Sequence, residues 1–308
     1  MQSAGRVILQ RVVRAGLTLW LVVSVVFFIL RFSGDPVALL LSDTATPTQV
    51  EALRTQLGLD QPLPIQSARY LGSLVRGDFG NSLRQRQPAM RLVLARFPAT
   101  LQLAAAAFLL AATVGLGMGV LAAVYRGRAW DRFAMIFTSI IQAGPAFFVG
   151  ILLILIFSVR LGWLPSSGRG SVKQLILPTI TLSGFTMASL TRLSRSALLD
   201  VFRNDYIRTA RAKGLRESSV LTGHALRNAA LPLITVAGLE LGGLLTGAVI
   251  TETVFAWPGI GRLAVDSVRT RDYPVVQAAV LFIATIFVLI NFLIDCSYAM
   301  IDPRVRGV

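Results

Sequence analysis

Six stretches of the chain run without charge, or nearly so, for about the 20 residues that a helix needs to cross a hydrocarbon core. They are 15–30, 97–125, 133–159, 174–191, 228–251 and 273–294. The fourth is short and is expected to continue one turn past Arg192, and the fifth is interrupted only by Glu240. Periodic polarity of the kind that marks a half-buried strand is absent from them, so the pattern predicts an all-α chain with about six transmembrane helices.

The first stretch is bracketed by Arg14 and Arg31, whose stems can snorkel outward. Basic residues precede it, as they do in a secretory signal, but Arg31-Phe32-Ser33-Gly34-Asp35-Pro36 offers no small-x-small cleavage site, so a retained helix is expected. Orientation follows from Lys and Arg in the short connections. With both termini in the cytoplasm, the inner segments 1–14, 126–132, 192–227 and 295–308 hold 16 basic residues and the short outer loops 160–173 and 252–272 hold 6. The long outer segment holds 8 more, but loops of that length escape the rule.

That outer segment carries its own helix signals. Thr46 or Thr48 is placed to cap a short helix from Pro47 to Arg54, and Gly58 stops it. A second, amphipathic helix is expected over 65–75 with its stop at Gly77. The expected organisation is therefore 1–31 for the N-terminal segment and first span, 32–96 for a small helical extracytoplasmic segment, 97–301 for a five-helix core with a cytoplasmic elbow at 201–227, and 302–308 for a cytoplasmic tail.

Composition agrees with a lipid-facing protein. Of 308 residues 54% are hydrophobic and 15% charged, against about 25% charged in a soluble domain. The net charge of +15 does not read as a nucleic-acid footprint, because the basic residues punctuate apolar runs instead of forming a stripe. Cys296 is the single cysteine and His224 the single histidine, which leaves no disulfide, no cysteine-based metal cluster and no Ser/His/Asp set with a choice of histidine. Neither Lys173 nor Lys213 follows the glycine of a P-loop and precedes Ser or Thr, so no nucleotide site of that kind is present.

The 36 residues 192–227 carry the most information. The stretch 201–213 is rich in Ala and Arg, Gly214 is placed as its C-terminal stop, and a second helical stretch at 217–227 leads back to Leu231-Pro232. Two short helices joined at a glycine predict a compact elbow; on charge alone it reads as a basic loop near anionic headgroups. Ala210, three residues, then Gly214 resembles the coupling motif of ABC importer permeases (Glu-Ala-Ala, three residues, Gly, nine residues, Ile-x-Leu-Pro). The Glu of that motif falls on Arg208, its first Ala on Thr209, its Ile on His224 and its Pro on Arg227; Leu226 agrees.

Tyr-Ile-Arg-Thr-Ala-Arg-Ala-Lys-Gly from Tyr206, followed by His-Ala-Leu-Arg-Asn from His224, is similar to the variant found in the B-type subunits of dipeptide and oligopeptide permeases. So are Gly34-Asp35-Pro36, Leu57-Gly58-Leu59-Asp60-Gln61-Pro62-Leu63, Gly77-Asp78-Phe79-Gly80-Asn81-Ser82, Arg96-Phe97-Pro98-Ala99-Thr100-Leu101 and the run from Glu252 to Leu263. The resemblance covers about residues 5–305.

The resemblance implies a type I ABC importer permease fold in a bacterial inner membrane and a non-catalytic subunit of an ATP-hydrolysing complex. It implies as partners a second homologous permease, two ATP-binding subunits that hold ATP and Mg, an extracytoplasmic substrate-binding protein and membrane lipid, with no cofactor in this chain. Asp205, Arg208, Thr209, Ala210, Lys213, Gly214, His224 and Arg227 are the expected contacts to the ATPase. Polar groups in spans face a bundle interior, which makes Gln142, Glu240, Thr246 and Glu252 candidates for a path or gate. Glu240 reads equally as a wall charge or as a hydrogen-bonded packing residue. Short peptides are the expected cargo; a nickel chelate, glutathione or haem are alternatives within the same kind of complex. A self-sufficient secondary transporter is the reading from another class.

Overall fold

The structure, a computed structural model, describes residues 4–32, 46–56 and 58–301. The Gly34-Asp35-Pro36 motif, Leu57, the tail 302–308 and the side chain of Cys296 lie outside the described residues. Among the described residues the chain is helical, with one isolated antiparallel bridge between Asn81 and Pro88. The helices are α1 (Ala4–Phe32), α2 (Pro47–Gln56), α3 (Leu63–Val75), α4 (Ala89–Leu110), α5 (Leu116–Val124), α6 (Ala129–Ala143), α7 (Ala146–Leu153), α8 (Val172–Phe202), α9 (Asp205–Ala212), α10 (Glu217–Ser219), α11 (Leu226–Val254), α12 (Ile260–Arg269) and α13 (Tyr273–Ile301). Wider π-type turns at Ala111–Gly115, Ile154–Arg160 and Val220–Ala225 follow α4, α7 and α10.

Four stretches are long and apolar enough to cross a membrane: Arg11–Phe32, Ala89–Val124, Pro232–Val254 and Tyr273–Ile294. Ala129–Ala143 with Ala146–Arg160, bent by 101°, makes a fifth if the pair is one broken span. The break falls at Gly144-Pro145, where Gly144 is extended, as the ring of a following proline requires. The expected stretch at 174–191 belongs to α8, which has the length at 31 residues but not the apolarity. The physical reason is its surroundings. α8 packs against α5, α6, α7 and α11, and Thr179, Thr181, Ser183, Thr186, Thr191 and Ser194 are all buried on it. A helix sheathed in protein has no need of a lipid-compatible surface.

The chain divides into two compact units, Met1–Ala99 with Pro258–Val288 and Thr100–Trp257 with Leu289–Val308. In the first, the expected short helices are present. Thr46 precedes α2, its carbonyl accepting from Gln49 and Val50 while the Gln49 side chain accepts from the Thr46 N–H, which is half of a capping box. Gly77 ends the α3 region with φ +78°. Phe27 of α1 stacks on Tyr70 of α3 at 5.6 Å, and burial pushes the Tyr70 hydroxyl above its ordinary range. Buried Asp272 accepts from the Ser82 hydroxyl and, at 3.0 Å, from the Leu83 N–H, so the turn before α13 holds the loop before α4.

In the second unit close helix packing is set by glycine. A Cβ on Gly119 would lie 2.5 Å from the Thr191 carbonyl oxygen, and one on Gly115 would lie 2.8 Å from that of Met187. The two glycines stand one turn apart, as do the two carbonyls, so α8 and the helix at 115–119 meet backbone to backbone along a small-residue seam. The hydroxyls of Thr181 and Thr191 donate to the carbonyls four residues earlier, at 2.9 and 2.8 Å, so these polar groups are satisfied within α8 itself.

Candidate functional site

The elbow is shorter than the pattern at 201–227 suggested, because α8 runs unbroken to Phe202 and the turn falls at Arg203-Asn204. Asp205–Ala212 then forms α9, with the Asn204 carbonyl accepting from Ile207 and Arg208. Its end is the glycine stop that the sequence predicts. Gly214 has φ +77°, its N–H donates to the Arg211 carbonyl at 2.9 Å, and the Leu215 N–H donates to the Ala210 carbonyl at 3.4 Å. This pair of bonds is a Schellman motif, and it needs the left-handed conformation that glycine adopts without strain.

One face of α9 is anchored. Ile207 and Ala210 are buried in a cluster with Leu198 of α8, Val220 and Ala225 of the π turn, and Ala229 of α11. Ala210 is therefore packed inward, against the chain's own core. Asp205, Arg208, Thr209, Lys213, Gly214, His224 and Arg227 are exposed. The Arg208 to Asp205 pair at 3.5 Å is nearly bare to solvent and contributes little to holding the elbow. The Thr209 hydroxyl returns to the Asp205 carbonyl at 3.0 Å, and the His224 carbonyl accepts from Asn228 at 2.7 Å. Among the described residues, no group of three or more His, Cys, Asp or Glu is placed to hold a metal ion.

Two ion pairs escaped the sequence reading. Arg211 donates to both carboxylate oxygens of Glu217, at 2.6 and 3.2 Å, and its guanidinium lies 5.6 Å from the Phe202 ring, so it braces α9 against both neighbours. Arg195, counted above only as topological charge, donates to both oxygens of buried Asp131 at 2.6 and 2.9 Å, and Asp131 also accepts from the Gly127 N–H at 2.8 Å. That pair ties the start of α6 to α8 near the elbow. Neither spacing follows a helical repeat, so no local signal announced them.

The four path candidates are not gathered at one point. Glu240, half-buried on α11, accepts from the Thr186 hydroxyl of α8 at 3.0 Å. Glu252 is fully buried near the far end of α11 and accepts from Thr100 at 2.6 Å. Thr246 is exposed, its hydroxyl donating to the Gly243 carbonyl at 2.9 Å. Gln142 stands beside the bend, and its Nε2, like the hydroxyl of Thr179, is buried with no hydrogen-bond partner.

Residues 115–307 match the family described as binding-protein-dependent transport system inner membrane component, and residues 5–104 match its N-terminal counterpart. The chain is 44% identical over 290 residues to the glutathione transport system permease protein GsiC of Escherichia coli (strain K12), covering 94% of this chain and 95% of that protein. It is also 44% identical over 300 residues to GsiC of Salmonella paratyphi A, covering 97% and 98%. Among solved structures, the MetNI methionine ABC transporter superposes with a TM-score of 0.57 at 20% identity, over 69% of this chain and 97% of that one. An amino acid ABC transporter gives 0.52 at 18% identity over 68% and 94%. At those identities the structural likeness speaks for the fold.

Proposed function

The chain belongs to the family of binding-protein-dependent transport system inner membrane components, and on that membership we propose that it is the permease subunit through which an ATP-driven importer admits glutathione or a closely similar short acidic peptide. The membrane, multi-pass and importer-subunit character follows from the family; the cargo and the residue roles are the proposed part. Similarity to GsiC along nearly the whole chain favours glutathione over the dipeptides that the motifs alone suggested.

The observation that carries the coupling role is the elbow's two-sidedness. Its buried residues Ile207 and Ala210 sit on Leu198 of α8 and Ala229 of α11, while Arg208, Thr209 and Lys213 face outward. A force applied to the outer face reaches two long helices without passing through a flexible linker. In this reading the outer face docks on an ATP-binding subunit. A second permease, a pair of such ATPases and an extracytoplasmic binding protein complete the complex. Differential contact between the nucleotide states, and not tight contact in one of them, is what moves the helices.

The test is transport by the whole complex in proteoliposomes with reduced glutathione and binding protein on one side and ATP on the other. Uptake is expected to require both, and the double charge reversal Arg208→Glu with Lys213→Glu is expected to abolish it while the complex still assembles. Uptake by this chain alone, without ATP, would identify a secondary transporter and overturn the reading.

A further inference from the structure

The stretch between α7 and α8 holds Arg160 and Arg169, Lys173 follows in the first turn of α8, and residues 154–173 contain no acid. Arg169 stands on the rim of a cavity of about 420 Å³ whose walls include Gln102, Ser171, Leu175 and Trp257. Its Nε donates to Gln102 Oε1 at 2.9 Å, and its guanidinium carbon lies 5.9 Å from the centre of the Trp257 ring. Among the described residues no carboxylate pairs with Arg169, although arginine is the side chain best shaped to take a carboxylate by two parallel bonds.

The placement is built. Gly168 donates to the Phe255 carbonyl at 3.1 Å on one side of Arg169. On the other, Gln174 accepts from the Ser171 N–H at 2.9 Å and donates to the Ser167 carbonyl at 3.1 Å. The loop is thus pinned before and after the arginine. Trp257, buried, is held by its backbone N–H, which donates to the Glu252 carbonyl at 2.8 Å, after a turn in which Ala256 takes φ +48°. With Nε engaged by Gln102 and the ring behind it, the guanidinium of exposed Arg169 keeps its two terminal nitrogens for a ligand, and part of its freedom is spent before binding.

We infer that Arg169, aimed by Gln102 and backed by Trp257, forms a subsite that receives a carboxylate of the cargo. This rests on the reading of the chain as an importer of an acidic peptide. The cavity lies at the start of α8 and the elbow at its end, about 45 Å away along a helix of this length. If the elbow meets the ATPase, the cavity opens on the side from which the binding protein delivers. Glutathione carries its carboxylates at both ends, so an arginine at the entrance takes one end while the rest is still being released.

The experiment compares the reconstituted complex carrying wild-type chain, R169Q, R169K or Q102E, reading glutathione imported per ATP hydrolysed together with ATPase stimulation by the loaded binding protein. R169Q is expected to lower import per ATP by about tenfold, the loss of one charge-assisted pair, with stimulation retained. R169K, which keeps charge but neither the Gln102 bond nor the paired nitrogens, is expected to recover only part of it. Q102E, which sets a competing carboxylate beside an intact arginine, is expected to fall with R169Q. Import unchanged in R169Q, or R169K as good as the wild type, overturns the subsite while leaving the importer reading intact. A wild-type complex that imports no glutathione overturns the functional reading and the subsite with it.

Discussion

Alanine at Gly119 and alanine at Gly117 should move the stability of this protein in opposite directions. Both glycines lie in α5, two residues apart, and both substitutions gain about 1 kcal/mol of helix propensity. At Gly117 the new methyl meets nothing within 4 Å. At Gly119 it lies 2.5 Å from the Thr191 carbonyl oxygen and 2.6 Å from Ser194 Cβ, against the 3.4 Å at which ordinary contact begins. The obstacle is main chain in the middle of α8, so relief requires the two helices to separate by most of an ångström along the seam. Overpacking of that kind costs about 1–3 kcal/mol. Because the propensity gain is common to both, the gap between the variants is this cost alone, about 3 °C in Tm for a loss near the middle of the range in a chain of 308 residues. The measurement is thermal unfolding of the two variants and the parent in one detergent, followed by tryptophan fluorescence. Gly119→Ala melting at or above Gly117→Ala would refute the close approach of α5 to α8.

Three further outcomes follow from particular contacts. Gly214→Ala has open space around its methyl but must hold φ +77°, so it should cost about 1 kcal/mol at the elbow and weaken binding-protein-stimulated ATP hydrolysis, with Gly214→Asn closer to the parent. Asp131→Ala leaves half-buried Arg195 without its acceptor and should destabilise by about 1–3 kcal/mol; a double-mutant cycle with Arg195→Ala in thermal melts should return a coupling of more than about 1 kcal/mol. Glu240→Gln keeps an acceptor for Thr186 and should leave Tm nearly unchanged. Glu240→Leu strands the hydroxyl of Thr186, a residue 3% exposed, at a cost of about 1–3 kcal/mol, and Thr186→Val in the same chain should recover most of that loss.

What the amino-acid sequence by itself determined is what short-range physics governs. Apolar length located the spans at both ends of the chain, Gly144-Pro145 located the bend, and Gly58, Gly77 and Gly214 located helix ends, because each depends on a residue's own backbone preferences and a few neighbours. The elbow was legible for the same reason. Its limits were not: α8 passes through Arg192–Phe202 because Leu198 finds a core to pack in, and no residue in that stretch says so locally. Tertiary structure alone decided the fate of the polar groups. Arg195 meets Asp131 across 64 residues, Thr186 meets Glu240 across 54, and Thr100 meets Glu252 across 152. It also decided that Ala210 of the elbow faces inward and that Arg169 stands over Trp257 beside an open cavity. Hydropathy under-reads α8 on the same account, since what a residue must be compatible with is whatever surrounds it, and for a helix enclosed by other helices that is protein and not lipid.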